Sequence, residues 1–325
     1  MNLRHWLRTP VVRLPMLPSL KNTELGKDCA MNFADVDKLL GTRKVPLAVC
    51  MPEDIDTVSA AYEASNQGFV ECIFVGNKDT IKACIDKTAP GFNPEIIHCE
   101  TPEDAAFKSV ELVRQNRASA LMKGSISTPI LLKAVLNSET GIKKSNVLSH
   151  VLIFEWENSL RFLTDGGMVT HPSLEEKIEL INNSRALARK LGVAVARVAV
   201  LSSVEKVNPK MPSTVDAAVL SKMGERKQFG SDCIVEGPLA LDNAISLESA
   251  HHKGLFNEVV GRADILVAPD IDTGNVLGKI LLYFGKTQCA GMIVGAQCPV
   301  IMLSRSDDRQ TRMNSIKLAL AAGKM

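Results

Sequence analysis

Residues 299–308 read PVIMLSRSDD, an apolar run that passes into Ser304, Arg305, Asp307 and Asp308. A hydroxyl, a guanidinium and carboxylates delivered together supply a hydrogen-bond donor, a rigid positive fork and proton acceptors. Ligands of open α/β sheets bind beyond the carboxyl ends of the strands, so a polar cluster leaving a buried strand stands where a site would be. The plainer reading is a solvated loop ahead of the last helix, because strand-to-helix connections are polar in any α/β protein. On these residues alone, both readings stand.

Other segments carry groups with similar potential. In LMKGSISTPILLKAVL, Lys123, Gly124, Ser125, Ser127 and Thr128 fall between a strand and a helix start. Backbone N–H groups at a helix N-terminus, two hydroxyls and a lysine suit a phosphate. No GxxxxGK occurs, so this is not a Walker A loop; taken alone, Ser127 is equally a helix cap followed by Pro129. LTDGGMVTHP ends a strand in Asp165 and two glycines, backbone that another group can approach closely, with a plain turn as the alternative. In VEGPLALDNAIS, Glu236 and Asp242 surround a Gly-Pro turn, and Asp242 is equally a cap. APDIDTGNVLGK gathers Asp270, Asp272, Asn275 and Lys279. Aspartates two apart could hold Mg²⁺, but the further carboxylates such a site wants are missing, so no metal is expected. His251 and His252 are adjacent, point apart on a helix and read as surface residues.

The elements that must position these groups follow from periodicity. From Lys44, short Val/Ile/Leu runs alternate with longer helical periods: VPLAVCM, EDIDTVSAAYEASNQG, VECIFVG, KDTIKACIDK. That rhythm is βαβα, hence a parallel sheet with right-handed crossovers. It continues through EIIHCE, a helix with Pro102 in its first turn, and a short strand SALM entering KGSIST. Near Val147, VLSHVLIFEW and LRFLTD flank a polar turn and predict a hairpin, which opens a second block with antiparallel pairing. A long helix over SLEEKIELINNSRALARKLG, the strand RVAVLSS, a helix from Pro212, and the strands DCIVEG and ADILVAPD follow. After a helix from Thr273, the strands GMIVG and PVIML feed the last helix.

The chain has 325 residues, enough for two α/β domains with a cleft between them. Hydrophobic residues make up 46% and aromatics only 4%, the usage of parallel sheets covered by helices. A net charge of +2, without basic runs interleaved with stacking aromatics, points away from nucleic acid. The eight cysteines are scattered, without CxxC or zinc spacing, and read as reduced thiols of a cytoplasmic protein. The longest near-apolar run, AGMIVGAQCPVIML, is interrupted by Gly, Gln and Pro, so no membrane span is expected. The proline-interrupted residues 1–30 are expected to form a loose tail ahead of an amphipathic helix from Met31.

Taken in order, LMKGSIST, LTDGGMVTHP, SSVEKVNPKMPSTVDAA, VEGPLALDNAIS, VGRADILVAPDIDTGNVLGK and VGAQCPVIMLSRSD resemble the phosphate acyltransferase family. The resemblance covers residues 31–325, and VNPKMPSTVDAA and EGPLALDNAIS are similar to the family's butyryl branch. The acetyl branch typically has SRG where this chain has Ser304-Arg305-Ser306. The resemblance implies a reversible exchange in which acyl-CoA, here butyryl-CoA, and inorganic phosphate give acyl phosphate and free CoA. Acetyl transfer is the neighbouring alternative. It further implies an α/β fold of two αβα domains with a central cleft, similar to isocitrate and isopropylmalate dehydrogenases. Residues 31–146 plus 288–325 would form the first domain and 147–287 the second. A homodimer or larger homo-oligomer is implied, acting on acyl-CoA, CoA and phosphate with no metal or redox cofactor.

On that resemblance Arg305 holds phosphate through its planar fork. Ser304 donates to the oxyanion or the thiolate, an interaction worth about 3 kcal/mol when lost. Asp307 or Asp308 takes the CoA thiol proton, for which modest help suffices because a free thiol has a pKa of about 8.5. Lys123, Gly124, Ser125, Ser127, Thr128, Asp165, Asp270, Asn275 and Lys279 are implied as phosphate- and CoA-binding. The chain departs from the family pattern at two places. The acetyl-branch aspartate lies farther from the Ser-Arg pair, where this chain has Thr311, and Gly278 stands where an aromatic residue commonly precedes the lysine. A metal-dependent NAD(P) dehydrogenase on the same fold would need carboxylates or histidines converging from both domains. A non-catalytic acyl-CoA-binding module would not need Ser304, Arg305 and Lys123.

Overall fold

Strands buried on both faces need uninterrupted Val, Ile, Leu and Ala, and the first half of the chain supplies them. The computed structural model describes residues 31–41, 44–302 and 307–323. The expected tail at 1–30, together with Ser304 and Arg305, lies outside the described residues. After a short helix α1 (Val36–Leu40), β1 (Val45–Cys50), α2 (Ile55–Asn66), β2 (Val70–Gly76), α3 (Lys78–Thr88), β3 (Glu95–His98), α4 (Pro102–Arg114), β4 (Ala120–Lys123) and α5 (Thr128–Val135) follow the expected βα rhythm. Caps start the helices where the sequence places them. The Asp54 carboxylate accepts from Thr57 N at 2.8 Å, and Thr101 accepts from Asp104 N ahead of α4, with Pro102 in the first turn.

The expected hairpin is present. β5 (Ser149–Trp156) pairs antiparallel with β6 (Ser159–Thr164). Glu157 and Asn158 between them both have positive φ, 50° and 60°, the backbone that matches the twist of a two-residue hairpin. The chain continues through α6 (Leu174–Lys190), β7 (Ala196–Leu201), α7 (Pro212–Glu225), β8 (Cys233–Leu239), α8 (Leu241–Ile245), α9 (Leu247–His252), β9 (Ile265–Val267) and α10 (Ile271–Lys279). β10 (Cys289–Val294), β11 (Val300–Ile301) and α11 (Arg309–Gly323) complete it.

All strands join one sheet in the order β3-β2-β1-β4-β11-β10-β5-β6-β9-β7-β8. Its two flanks are parallel but run in opposite senses, and the antiparallel strands β10 and β5 join them. The chain's last strands therefore lie in the middle of the sheet. One face carries a continuous apolar layer that reaches from Phe74 and Val49 through Val151, Ile153 and Met292 to Val198 and Val235. The opposite face carries two separate clusters, one around Val75, Leu121 and Ile293, the other around Leu163, Leu201 and Leu266. The interruption between them falls over β5 and β10. A mixed α/β architecture with a break in one layer is what positions the site.

Candidate active site

Side chains alternate along a strand. On β5, Val151 and Ile153 enter the continuous core, so His150 and Leu152 must face the interruption on the other side. On β10 the same alternation sends Ala290 and Met292 into the core and leaves Cys289 and Gly291 facing the interruption. These residues floor a cavity of about 240 Å³ walled by Gly166, Gly167, Asn275, Gly278, Lys279, Met302, Asp307 and Thr311. The site thus lies on the face of the sheet between its two flanks. Where β11 ends, α11 takes over beside β10, and Gly291 N–H donates to Ser315 Oγ at 2.9 Å.

The wall beside β6 is built on Asp165, which is 1% exposed. Its carboxylate accepts from His150 N at 2.8 Å, Gly167 N at 2.7 Å and Met168 N at 2.8 Å. It therefore shapes the loop and fixes the start of β5. The two glycines after it are both approached closely, Gly166 by backbone of α10 and Gly167 by the side chain of His150. A Cβ on Gly274 would stand 2.2 Å from Asp165 O, and one on Gly166 would stand 2.8 Å from Gly274 C. Asn275 Nδ2 secures the contact by donating to Gly166 O at 2.9 Å. Asp270 caps α10, accepting from Thr273 N at 2.8 Å, and that bond holds its carboxyl below the usual carboxylate range. The helix so placed brings Gly278 and Lys279 to the cavity. A Cβ on Gly278 would lie 3.1 Å from Leu152 Cδ2, so a larger side chain there would enter the cavity against Leu152.

Among the remaining site candidates, Asp307 lines the cavity beside Thr311, whereas Asp308 caps α11 by accepting from Thr311 N at 2.7 Å. That hydrogen bond lowers the Asp308 carboxyl. The structure therefore separates the two aspartates that the sequence left equivalent. Lys123, Gly124, Ser125, Ser127 and Thr128 lie at the carboxyl end of β4 and the start of α5, and none of them lines this cavity. Gly124 is required where it stands, since a Cβ there would lie 2.2 Å from Met51 O. Ser125 Oγ donates to Met51 O at 3.0 Å, and Lys123 Nζ to Gly124 O at 3.1 Å. Ser127 occupies the N-cap position of α5, yet its hydroxyl makes no capping bond.

Two polar floor residues carry no signal of their own in the sequence: His150 reads as part of the strand VLSHVLIFEW, and Cys289 as one of the scattered reduced thiols. The Cys289 thiol is pushed up to about 12, mainly by burial, with Asp308 and Asp307 adding to it. Burial pulls the His150 imidazole below its ordinary value, while Asp165 and then Asp307 oppose that shift. The signal that could have exposed His150 was its parity. It stands an odd number of residues from Val151 and Ile153, and only one of those two sets can face a continuous core.

Residues 86–320 match the family model described as phosphate acetyl/butaryl transferase. The chain belongs to this family. The phosphate butyryltransferase of Clostridium acetobutylicum is 44% identical over 281 residues, covering 85% of this chain and 93% of that protein. The phosphate acetyltransferase of Thermotoga maritima is 38% identical over 276 residues, covering 84% and 93%. Among solved structures, a branched-chain phosphotransacylase from Enterococcus faecalis superposes with a TM-score of 0.76 at 32% identity, covering 86% of this chain and 99% of that one. As a phosphate acyltransferase family member, the chain is an enzyme of the transferase class. No helix among the described residues is long and apolar enough to cross a membrane.

Proposed function

We propose that the protein is a phosphate butyryltransferase: butyryl-CoA and inorganic phosphate exchange to butyryl phosphate and free CoA, reversibly. The observation that carries this reading is the cavity itself, whose lining combines Lys279, Asn275 and Asp307 with the apolar side chains of Leu152, Leu163 and Leu282. Such a pocket has a place for a short acyl chain and cationic and amide groups for a polyanionic partner. The 44% identity to the clostridial butyryltransferase supports the acyl class.

In the forward direction a phosphate oxygen attacks the thioester carbonyl, a tetrahedral oxyanion forms, and CoA leaves as thiolate. Arg305 holds the phosphate in a bidentate fork and Ser304 donates to the charge that develops. Lys123, Gly124, Ser125, Ser127 and Thr128, one strand away on β4, bind phosphate groups of CoA or the nucleophile. Lys279 and Asn275 reach the same substrates from α10, while Asp165 and Asp270 act by holding these walls in place. The two opposed parallel flanks support a two-lobed architecture like that of isocitrate and isopropylmalate dehydrogenases, with residues 31–146 and 288–325 in one lobe and 147–287 in the other. The enzyme is a cytoplasmic homodimer or larger homo-oligomer that needs no metal or redox cofactor.

The test is thiol release from butyryl-CoA on addition of phosphate, with acetyl-CoA as competitor and EDTA in a parallel sample. The expected result is phosphate-dependent release that prefers the butyryl thioester and is unaffected by EDTA. Absence of phosphate-dependent release would overturn the reading, and loss in EDTA restored by Mg²⁺ would overturn its metal-free form.

A further inference from the structure

The cavity floor holds one imidazole, that of His150, between two glycines. A Cβ on Gly167 would lie 3.1 Å from its Cγ, and a Cβ on Gly291 would lie 3.0 Å from its Nε2. The ring is thus wedged between two stretches of backbone, with Nε2 beside Gly291, which lines the same cavity. Nδ1 is enclosed and has no hydrogen-bond partner among the described residues. A buried polar ring atom left without a partner is costly and calls for an explanation, of which a catalytic role is one.

We propose that His150 carries the reacting proton between the CoA sulfur and the phosphate oxygen, an inference that rests on the acyl-transfer reading of this cavity. The proton balance of the reaction favours a single neutral shuttle. In the acyl-CoA-forming direction, the imidazole takes the S–H proton as the C–S bond forms. As the C–O bond to phosphate breaks, the imidazolium gives that proton to the departing oxygen, so the leaving group is hydrogen phosphate. In the other direction hydrogen phosphate gives the imidazole its proton while attacking, and the imidazolium protonates the thiolate. No outside acid or base is consumed.

The surroundings fit both halves of this cycle. Burial lowers the imidazole's pKa and so favours the neutral ring that can accept a proton, while Asp165 and Asp307 favour the imidazolium. Among the described residues, the other ionisable groups lining the cavity are Lys279 on α10 and Cys289 on β10, whose thiol stays protonated. A carboxylate is a poorer match for this task. An unperturbed aspartate lies about 4.6 units below a thiol and an unperturbed imidazole about 2, and proton transfer is most efficient when the base's pKa lies near the working pH. Asp308, the other sequence candidate, is committed to capping α11.

The test is the pH dependence of kcat/KM for CoA with butyryl phosphate, from pH 5.5 to 9.5, in wild type, His150→Asn and Asp307→Asn. Without the base, the reaction must use CoA that is already ionised. His150→Asn should lose about a hundredfold at pH 7. That loss should shrink roughly tenfold per pH unit up to the thiol pKa of about 8.5. Asp307→Asn keeps the imidazole but removes an anion that favours its protonated form, so its acid limb should move to lower pH. This second variant tests the shuttle even if His150→Asn does not fold. A loss in His150→Asn that is equal at every pH would overturn the proposal. So would an Asp307→Asn profile that alone follows thiolate ionisation, which would make Asp307 the base. A wild type without phosphate-dependent thiol release would instead overturn the acyl-transfer reading on which the proposal rests.

Discussion

Two loops look alike as sequence and differ as structure. LTDGGM after β6 and LMKGSIST after β4 both leave a strand through glycine and polar side chains. In the first, the Asp165 carboxylate accepts from three backbone N–H groups and has become part of the scaffold. In the second, Ser127 stands at a helix N-terminus without capping it, and no acidic residue occupies the first turn of α5. A buried carboxylate must be saturated with donors, so it is bound to local backbone. A helix start that its own side chain does not cap keeps its N–H groups and positive end available to an anion. One loop builds a wall, and the other is suited to receive phosphate.

The largest expected effect breaks the first half of this comparison. Asp165→Ala removes the acceptor from three N–H groups at once, and an orphaned buried group costs about 1–3 kcal/mol. Stability measured by urea unfolding should fall by about 3 kcal/mol. A loss below about 1 kcal/mol would mean that the loop holds its shape without the carboxylate.

A smaller effect concerns the helix that this loop supports. Asp270→Ala should cost about 1 kcal/mol at neutral pH through the lost cap, less where solvent screens it. Because the Thr273 N–H lowers the folded-state pKa of Asp270, its stabilising contribution is present above the ordinary carboxylate pKa and is lost as pH falls through the folded value. Thermal unfolding of wild type and variant should therefore converge on acidification, and a gap constant from pH 7 to pH 2.5 would contradict the cap.

The smallest stability effect sharpens the second half. Ser127→Ala removes no capping bond, so stability should change by less than about 0.5 kcal/mol. The KM for phosphate or for CoA should nevertheless rise severalfold. A stability loss near 1 kcal/mol with unchanged kinetics would return Ser127 to the role of an ordinary cap.

Much of this arrangement is legible in the sequence because it is local. The βα rhythm from Lys44 and the β5–β6 hairpin follow from periodicity, and the Asp54 and Thr101 caps from residue type and spacing. The insertion of β10 and β11 between β4 and β5 depends on which distant strands pair, which no window of sequence contains. The resemblance of the motifs supplied the chemistry, yet it could not distinguish a carboxylate lining the cavity from one capping a helix. Asp307 and Asp308 are adjacent and differ only in which way the turn before α11 points them. His150 escaped because its neighbours in sequence are apolar, and its neighbours in space, Gly167, Gly291 and Asp307, come from distant parts of the chain. The short helices α8 and α9 gave no clear period over so few residues.

The central claim is that acyl transfer takes place in the cavity between the two flanks, and filling it from one wall tests that most directly. Gly278→Leu adds a side chain facing Leu152, at a position whose Cβ already meets that residue at 3.1 Å. It leaves Lys279 and Asn275 unchanged and improves the helix propensity of α10. The measurement is kcat/KM for butyryl-CoA and acetyl-CoA at saturating phosphate, with thermal unfolding of the same samples. The account predicts a folded variant whose butyryl-CoA turnover falls tenfold or more while acetyl-CoA turnover falls less, as expected for about 1–3 kcal/mol of lost acyl fit. A folded variant that turns over butyryl-CoA at the wild-type rate would show that the acyl group is transferred elsewhere.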